Sequence, residues 1–248
     1  MKTIQRIVSN IIIIFTLSQT VVGCSAKTPS TNLSEIKASQ IIAQLNKGKH
    51  ICFNNCIIWG ELDFTKLNNR NRITDKQTQV FVNSSVTFNN CVFVNKVKSY
   101  DATAGVYTEF AYNVSFTRCD FRDEIDLTGC VIHGQAFFTG STFRSAVRLQ
   151  GVHFRHMKTY FNETQFEGEA LFQNTVFAGD VSFVDAVFSE RAMFQKTVAW
   201  GLMFFGNVQF NDYADFTYSR AVTSIFRYAQ FKGRYDFGDS QLNGDHPK

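Results

Sequence analysis

Phe116-Thr117-Arg118-Cys119-Asp120-Phe121-Arg122-Asp123-Glu124-Ile125-Asp126-Leu127-Thr128-Gly129-Cys130-Val131-Ile132 is the stretch that decides the fold. A large apolar residue stands at Phe116, Phe121, Leu127 and Ile132, at steps of five, six and five. The rhythm runs on through Phe138, Phe143, Leu149 and Phe154 as far as Leu242. Steps of five and six fit neither a helix, with its period of about 3.6, nor a strand, with its period of about 2. They fit a chain wound into a coil, in which each short straight segment donates one large side chain to the axis.

A smaller residue stands two positions before most of these centres: Ala136, Ser141, Thr159, Thr164, Ala170, Thr175, Ala186, Ala192, Thr197, Ala214, Ser219 and Ala229. In an extended segment, positions i and i−2 point the same way, so both face inward. The residues between and after them are mostly polar, as in Arg118, Asp120, Arg122, Gln165 and Asp185, and face out. The unit is small–x–Phe/Leu–x–x, with one extra residue in every second copy.

This unit resembles the pentapeptide-repeat family, whose copies read Ala–Asp/Asn–Leu/Phe–x–x; good matches are Ala214-Asp215-Phe216, Ala229-Gln230-Phe231 and Ala186-Val187-Phe188. The resemblance is continuous from Cys119 to Leu242 and recurs in pieces from Ile51. The chain departs from the family pattern in its abundant Phe, its scarce Asp/Asn before the centre, and its eleven-residue double step. The resemblance implies an all-β fold, a right-handed four-sided parallel β-helix of about eight coils. One coil then takes 22 residues, and the centres sort into four ladders. The first is Phe116, Phe138, Phe161, Phe183, Phe205 and Phe226; the second is Phe121, Phe143, Phe166, Phe188, Phe210 and Phe231. The third is Leu127, Leu149, Phe172, Phe194, Phe216 and Phe237; the fourth is Ile132, Phe154, Phe177, Ala199, Ala221 and Leu242. Rings in one ladder are expected to stack at the inter-strand spacing of about 4.8 Å.

Composition agrees with a single repeat domain. The chain has 248 residues, with 27 Phe but only two Pro. Phe fills the axis, and Pro would remove coil-to-coil hydrogen bonds. Net charge is +4, of which Lys2 and Arg6 supply two. The remaining 23 basic and 21 acidic side chains are too balanced for a nucleic-acid partner.

Residues 1–23 read as a secretory leader: Lys2 and Arg6, then the short apolar core Ile11–Leu17. Val21-Val22-Gly23-Cys24 resembles a bacterial lipobox, which implies cleavage before Cys24, lipidation of its thiol and acylation of its amine. An ordinary leader with a chance Cys is the alternative. The expected location is exported and lipid-anchored to the cell envelope, at the outer membrane if the host is Gram-negative, since Ser25 rather than Asp follows the Cys. Residues 24–33 form a tether. Residues 34–48 are expected to form a helix that caps the first coil, with Ser34 as N-cap, Ile36, Ile41, Ile42 and Leu45 on one face, and Gly48 as stop. Residues 49–242 form the β-helix, and residues 243–248 a frayed polar tail.

The five-six rhythm lapses twice, at Thr65–Gln79 and near Lys98–Gly105. Both lapses fall between the third and fourth ladders, so two loops are expected on the same side of neighbouring coils. Arg70, Arg72 and Tyr100 are their candidate contact residues, with neutral insertion as the alternative. A second candidate surface is the outward stripe just before the first ladder: Phe137, Tyr160, Ser182, Phe204 and Ile225. It is either an apolar contact face or one shaded by corner side chains.

Cys56, Cys91 and Cys119 stand at the inward small position of successive second-ladder coils. They can fill space as small thiols, form one bridge in an oxidising compartment, or hold a soft metal; space-filling is the reading adopted, and no metal or cofactor is expected. No phosphate-binding Gly loop, nucleophile elbow or column of Asp is present. The sequence therefore points to a non-enzymatic, lipid-anchored scaffold or protein–protein interaction module. Its partners are the membrane, through the lipid, and an unidentified protein. The family resemblance adds a homodimer through the C-terminal coil. The rivals are a carbohydrate-binding or carbohydrate-cleaving β-helix at the cell surface and the acidic nucleic-acid mimic known in the family, which a basic exported chain disfavours.

Overall fold

A computed structural model describes residues 33–245. They form an all-β parallel solenoid with a single short helix, Ala38–Leu45, near its start. Most strands are only two to five residues long, and along the solenoid they pair in parallel with the strands one coil before and one coil after. The register follows the sequence period: Phe121 pairs with Phe143, Phe143 with Phe166, Phe166 with Phe188, and Phe188 with Phe210. Along the fourth ladder, Ile132 pairs with Phe154, Phe154 with Phe177, and Phe177 with Ala199.

The rings stack as the spacing requires. Phe143 and Phe166 lie 5.3 Å apart, and Phe166 and Phe188 4.5 Å apart, nearly parallel. The first ladder extends below Phe116 through Phe88 to Phe53, at 5.4 and 5.7 Å. Rings from different ladders meet edge-on, as Phe172 does against Phe161 and Phe183. Face stacking along the axis and edge contact across it are the two arrangements that ring quadrupoles favour. Together they fill the interior.

Each five-residue step turns through a residue in the left-handed region, two after the ladder centre. On the third-ladder corner these are Gly129, Gly151, Asn174, Lys196 and Tyr218. The turn is closed by a backbone hydrogen bond, as from Thr175 N–H to Phe172 C=O (3.1 Å). The small residue that follows points inward, and its hydroxyl has a specific partner. Ser141, Thr175 and Thr197 donate to the carbonyls of Phe116, Leu149 and Phe172 at 2.7, 2.7 and 2.8 Å. Each bond runs to the coil below, so a buried hydroxyl is satisfied and two coils are tied together.

Both ends differ from the sequence reading. Ser34 is not a helix N-cap: Ser34–Lys37 is a strand, parallel to Cys56–Trp59, and Ser34 Oγ lies 3.1 Å from Cys56 Sγ. The helix begins after Lys37, whose backbone N–H donates to Gln40 Oε1 (3.2 Å). An unpaired strand edge at the first coil accounts for this, because continuing the ladder satisfies four more residues of backbone. The helix buries Ala38, Ile41 and Leu45 and packs on the strands Leu62–Asp63 and Ile51–Asn54. At the other end, Asn243–Asp245 is not frayed but belongs to the strand Gln241–Asp245, with Gly244 opposite Ser224 and Asp245 opposite Ile225.

Candidate functional site

The two lapses in the rhythm are not irregular loops. Arg70–Thr74 and Gln77–Val82 form an antiparallel hairpin, and Tyr100–Asp101 folds back antiparallel on Val106–Phe110. Val106–Phe110 then pairs in parallel with Gln77–Val82 over five residues. The insertions are thus one sheet extension, continuous with the fourth-ladder strands through Phe110 and Ile132. Arg70, Arg72 and Tyr100 all fall on this extension, but they do different things. The Arg70 guanidinium donates to the carbonyls of Thr65 and Leu67, at 2.9 and 2.6 Å, and fixes the turn behind it. Arg72 is exposed and reaches Asp75 Oδ1 at 3.0 Å. Tyr100 is half-buried and sits opposite Tyr107.

Where the extension leaves the coil, the chain holds a buried carboxylate. Asp63 accepts from Thr65 N–H and Thr65 Oγ1 and pairs with Lys98 Nζ at 3.6 Å. Burial works against the Lys98 charge, but Asp63, Glu61 and Asp101 outweigh it and raise its pKa. This cluster anchors the base of both hairpins. A cleft of about 190 Å³ lies between the helix end and the first hairpin, lined by Leu45, Asn46, Leu67, Asn69 and Phe81 among others. Its walls are apolar and amide, with one hydroxyl at Ser84 and no titratable side chain.

The outward stripe is not an open apolar face. Tyr160 and Phe204 are only 5% and 6% exposed, and Phe137 and Ile225 are half-buried. Outward side chains obey the same 22-residue stacking as inward ones: the Phe137 and Tyr160 rings lie parallel at 5.3 Å, and Phe204 sits beside Ser182 and Ile225 in the ladder. A column of neighbours a strand spacing apart withdraws ring faces from water whichever way it points.

Cys56, Cys91, Cys119 and Cys130 are free, buried thiols. Cys91 and Cys119 take the place that Ser and Thr fill elsewhere, with sulfur 3.5 and 3.6 Å from the carbonyls of Phe53 and Phe88. Burial pushes the Cys119 thiol well above its ordinary pKa and that of Cys130 up to about 12. Among the described residues, no group of three or more His, Cys, Asp or Glu side chains is placed to hold a metal ion. Cys24 and the leader lie outside the described residues.

Exposed charge is arranged in ribbons one coil apart. Arg144 joins Asp120 (2.7 Å) to Glu167 (3.4 Å), Glu124 joins Lys96 to Arg148, and Glu169 meets Arg191. Water and salt screen exposed pairs of this kind, so the ribbons are weak cross-links rather than a reactive centre. What the residue-level reading missed is the line of exposed apolar residues after the fourth ladder. Trp200 follows the fourth-ladder centre Ala199 and Val222 follows Ala221, while Met157 stands three after Phe154, and all three are exposed. Position after the fourth centre was the available signal for Trp200 and Val222, and Met157 lies outside it.

The family model for pentapeptide repeats (9 copies) matches residues 107–157 and 161–198, the central coils of the solenoid. The chain therefore carries pentapeptide repeats over that stretch. No curated protein and no solved structure matches it. No helix among the described residues is long and apolar enough to cross a membrane.

Proposed function

We propose that this chain is a non-enzymatic, lipid-anchored scaffold of the cell envelope, a right-handed four-sided β-helix capped at its first coil by the helix Ala38–Leu45. Acylation of Cys24 holds it at the membrane, and the tether 24–33 separates the lipid from the rod. The observation that carries the reading is the filled axis. Stacked rings from Phe53 to Phe226, from Phe93 to Phe231 and from Phe172 to Phe237 hold the coil rigid, so all remaining chemistry lies on its faces. A stiff rod with long faces suits holding partners at fixed spacing. The paired hairpins, with Arg72 exposed and Tyr100 at their base, are the contact surface for the protein partner. The last coil, with Phe231 and Phe237 half-buried and Gln241–Asp245 as its final strand, is the surface for a homodimer.

Metabolic labelling with a palmitate analogue tests the anchor. Incorporation is expected in the wild type and lost in Cys24→Ala; equal incorporation in both rejects it. Envelope cross-linking with Arg72→Glu/Tyr100→Ala tests the hairpins, and an unchanged set of cross-linked proteins rejects their role.

A further inference from the structure

Met157, Trp200 and Val222 are 64%, 70% and 59% exposed. All three lie on the turn that leads from the fourth ladder into the first. Backbones on this turn stack in direct contact: a Cβ on Gly179 would fall 2.3 Å from Met157 O, and one on Gly201 would fall 2.6 Å from Gly179 C. The column after the fourth centre runs Arg155, Ala178, Trp200, Val222, one residue per coil. Trp200 and Val222 are therefore neighbours in one column, about 5 Å apart, and Met157, beside Gly179, lies in the adjoining column two coils before Trp200; together they make a ridge about 15 Å long, interrupted at Ala178 and Gly179. Arg155 and Arg220 are exposed beside it, and Lys158 lies at its base. The one acid on these segments, Asp180, is half-buried, with Oδ1 accepting from Leu202 N–H at 2.9 Å.

We infer that this ridge is a membrane-contact edge for an anionic lipid surface. A Trp flanked by apolar and basic side chains matches the layered chemistry of a bilayer interface, with the indole at headgroup depth and the arginines on lipid phosphates. A ten-residue tether spans at most about 35 Å. The rod then lies along the bilayer on this edge instead of standing on its first coil. The orientation rests on the proposed lipid anchor; the lipid contact itself does not.

The test uses the full chain carrying Cys24→Ser, which cannot be acylated, so the ridge is read apart from the anchor. With Trp59→Phe, Trp200 is the sole tryptophan. On vesicles of phosphatidylcholine with phosphatidylglycerol, Trp200 emission shifts to the blue and is quenched by brominated acyl chains. Phosphatidylcholine alone gives neither. Arg155→Gln/Arg220→Gln weakens vesicle affinity about thirty-fold. In the reciprocal Trp200→Phe chain, Trp59 emission does not move. Vesicle binding with unchanged Trp200 emission overturns the inference, because the apolar leader would then be what binds. A Trp200 shift seen only with envelope proteins and not with lipid also overturns it and makes the ridge a protein contact. Near-UV circular dichroism of each variant confirms the fold, since Trp59, Arg155, Trp200 and Arg220 are all exposed.

Discussion

Phe166→Ala tests the stacked axis at its centre. Phe166 is fully buried, 5.3 Å above Phe143 and 4.5 Å below Phe188, with edge contacts to Phe172. A truncation there removes the whole ring from a site whose neighbours are held by their own ladders and cannot collapse. The expected cost is about 3–5 kcal/mol, the upper range for a buried Phe. Phe231 is the internal control. It belongs to the same ladder but is half-buried and has one stacked ladder neighbour, Phe210 at 4.7 Å. Phe231→Ala therefore costs roughly half as much, about 1.5–2.5 kcal/mol. Guanidinium unfolding followed by far-UV circular dichroism reads both as midpoint shifts, comparable while the slope is unchanged. A Phe231→Ala shift as large as that of Phe166→Ala would refute the reasoning, since stability would then not accumulate coil by coil.

Two glycines predict opposite outcomes. Gly179→Ala forces a Cβ into the Met157 backbone at 2.3 Å and destabilises, whereas Gly206→Ala meets nothing closer than 3.8 Å and is nearly neutral; thermal unfolding of the pair distinguishes them. Burial works against the Glu124 charge, but the Arg148 guanidinium and the Lys96 ammonium overcome it and hold the carboxyl below its usual 4.5. Its contribution is full above that value and lost as pH falls through the lower folded value, so Glu124→Gln flattens the acid limb of a stability–pH curve and leaves neutral pH slopes alone. Cys119 and Cys130, with thiols raised by burial, resist iodoacetamide at pH 8 until guanidinium is added; mass spectrometry showing native alkylation at either site would contradict their placement.

The axis was legible because its physics is local and repeated. One ring per short strand must fill one slot, so Phe143, Phe166 and Phe188 announce their stacking by spacing alone. The inward thiols were legible for the same reason: Cys91 and Cys119 occupy the slot of Ser141 and Thr164. Features that depend on what lies outside the repeat were not. Ser34 carries a good N-cap side chain, yet an unsatisfied strand edge beside Cys56–Trp59 claimed its backbone. The lapses at Thr65–Gln79 and Lys98–Gly105 show no strand rhythm of their own. Their strand character comes from pairing with each other, as in Val106 opposite Thr78. An outward strand position for Tyr160 and Phe204 does not give exposure when the column above and below is filled. The Asp63–Lys98 cluster joins residues 35 apart across a coil with an insertion, a separation that the 22-residue repeat does not display.

Distances along one outward column measure the coil rise directly. Val92, Asp120, Gln209 and Gln230 share the second-ladder strand register. Spin labels carried on unnatural amino acids, read by double electron–electron resonance, should give Asp120–Gln209, Asp120–Gln230 and Val92–Gln230 separations of about 19, 24 and 29 Å before a common linker offset, one strand spacing per added coil. Three distances that do not rise by equal steps of about 5 Å would contradict the stacked axis on which every placement above depends.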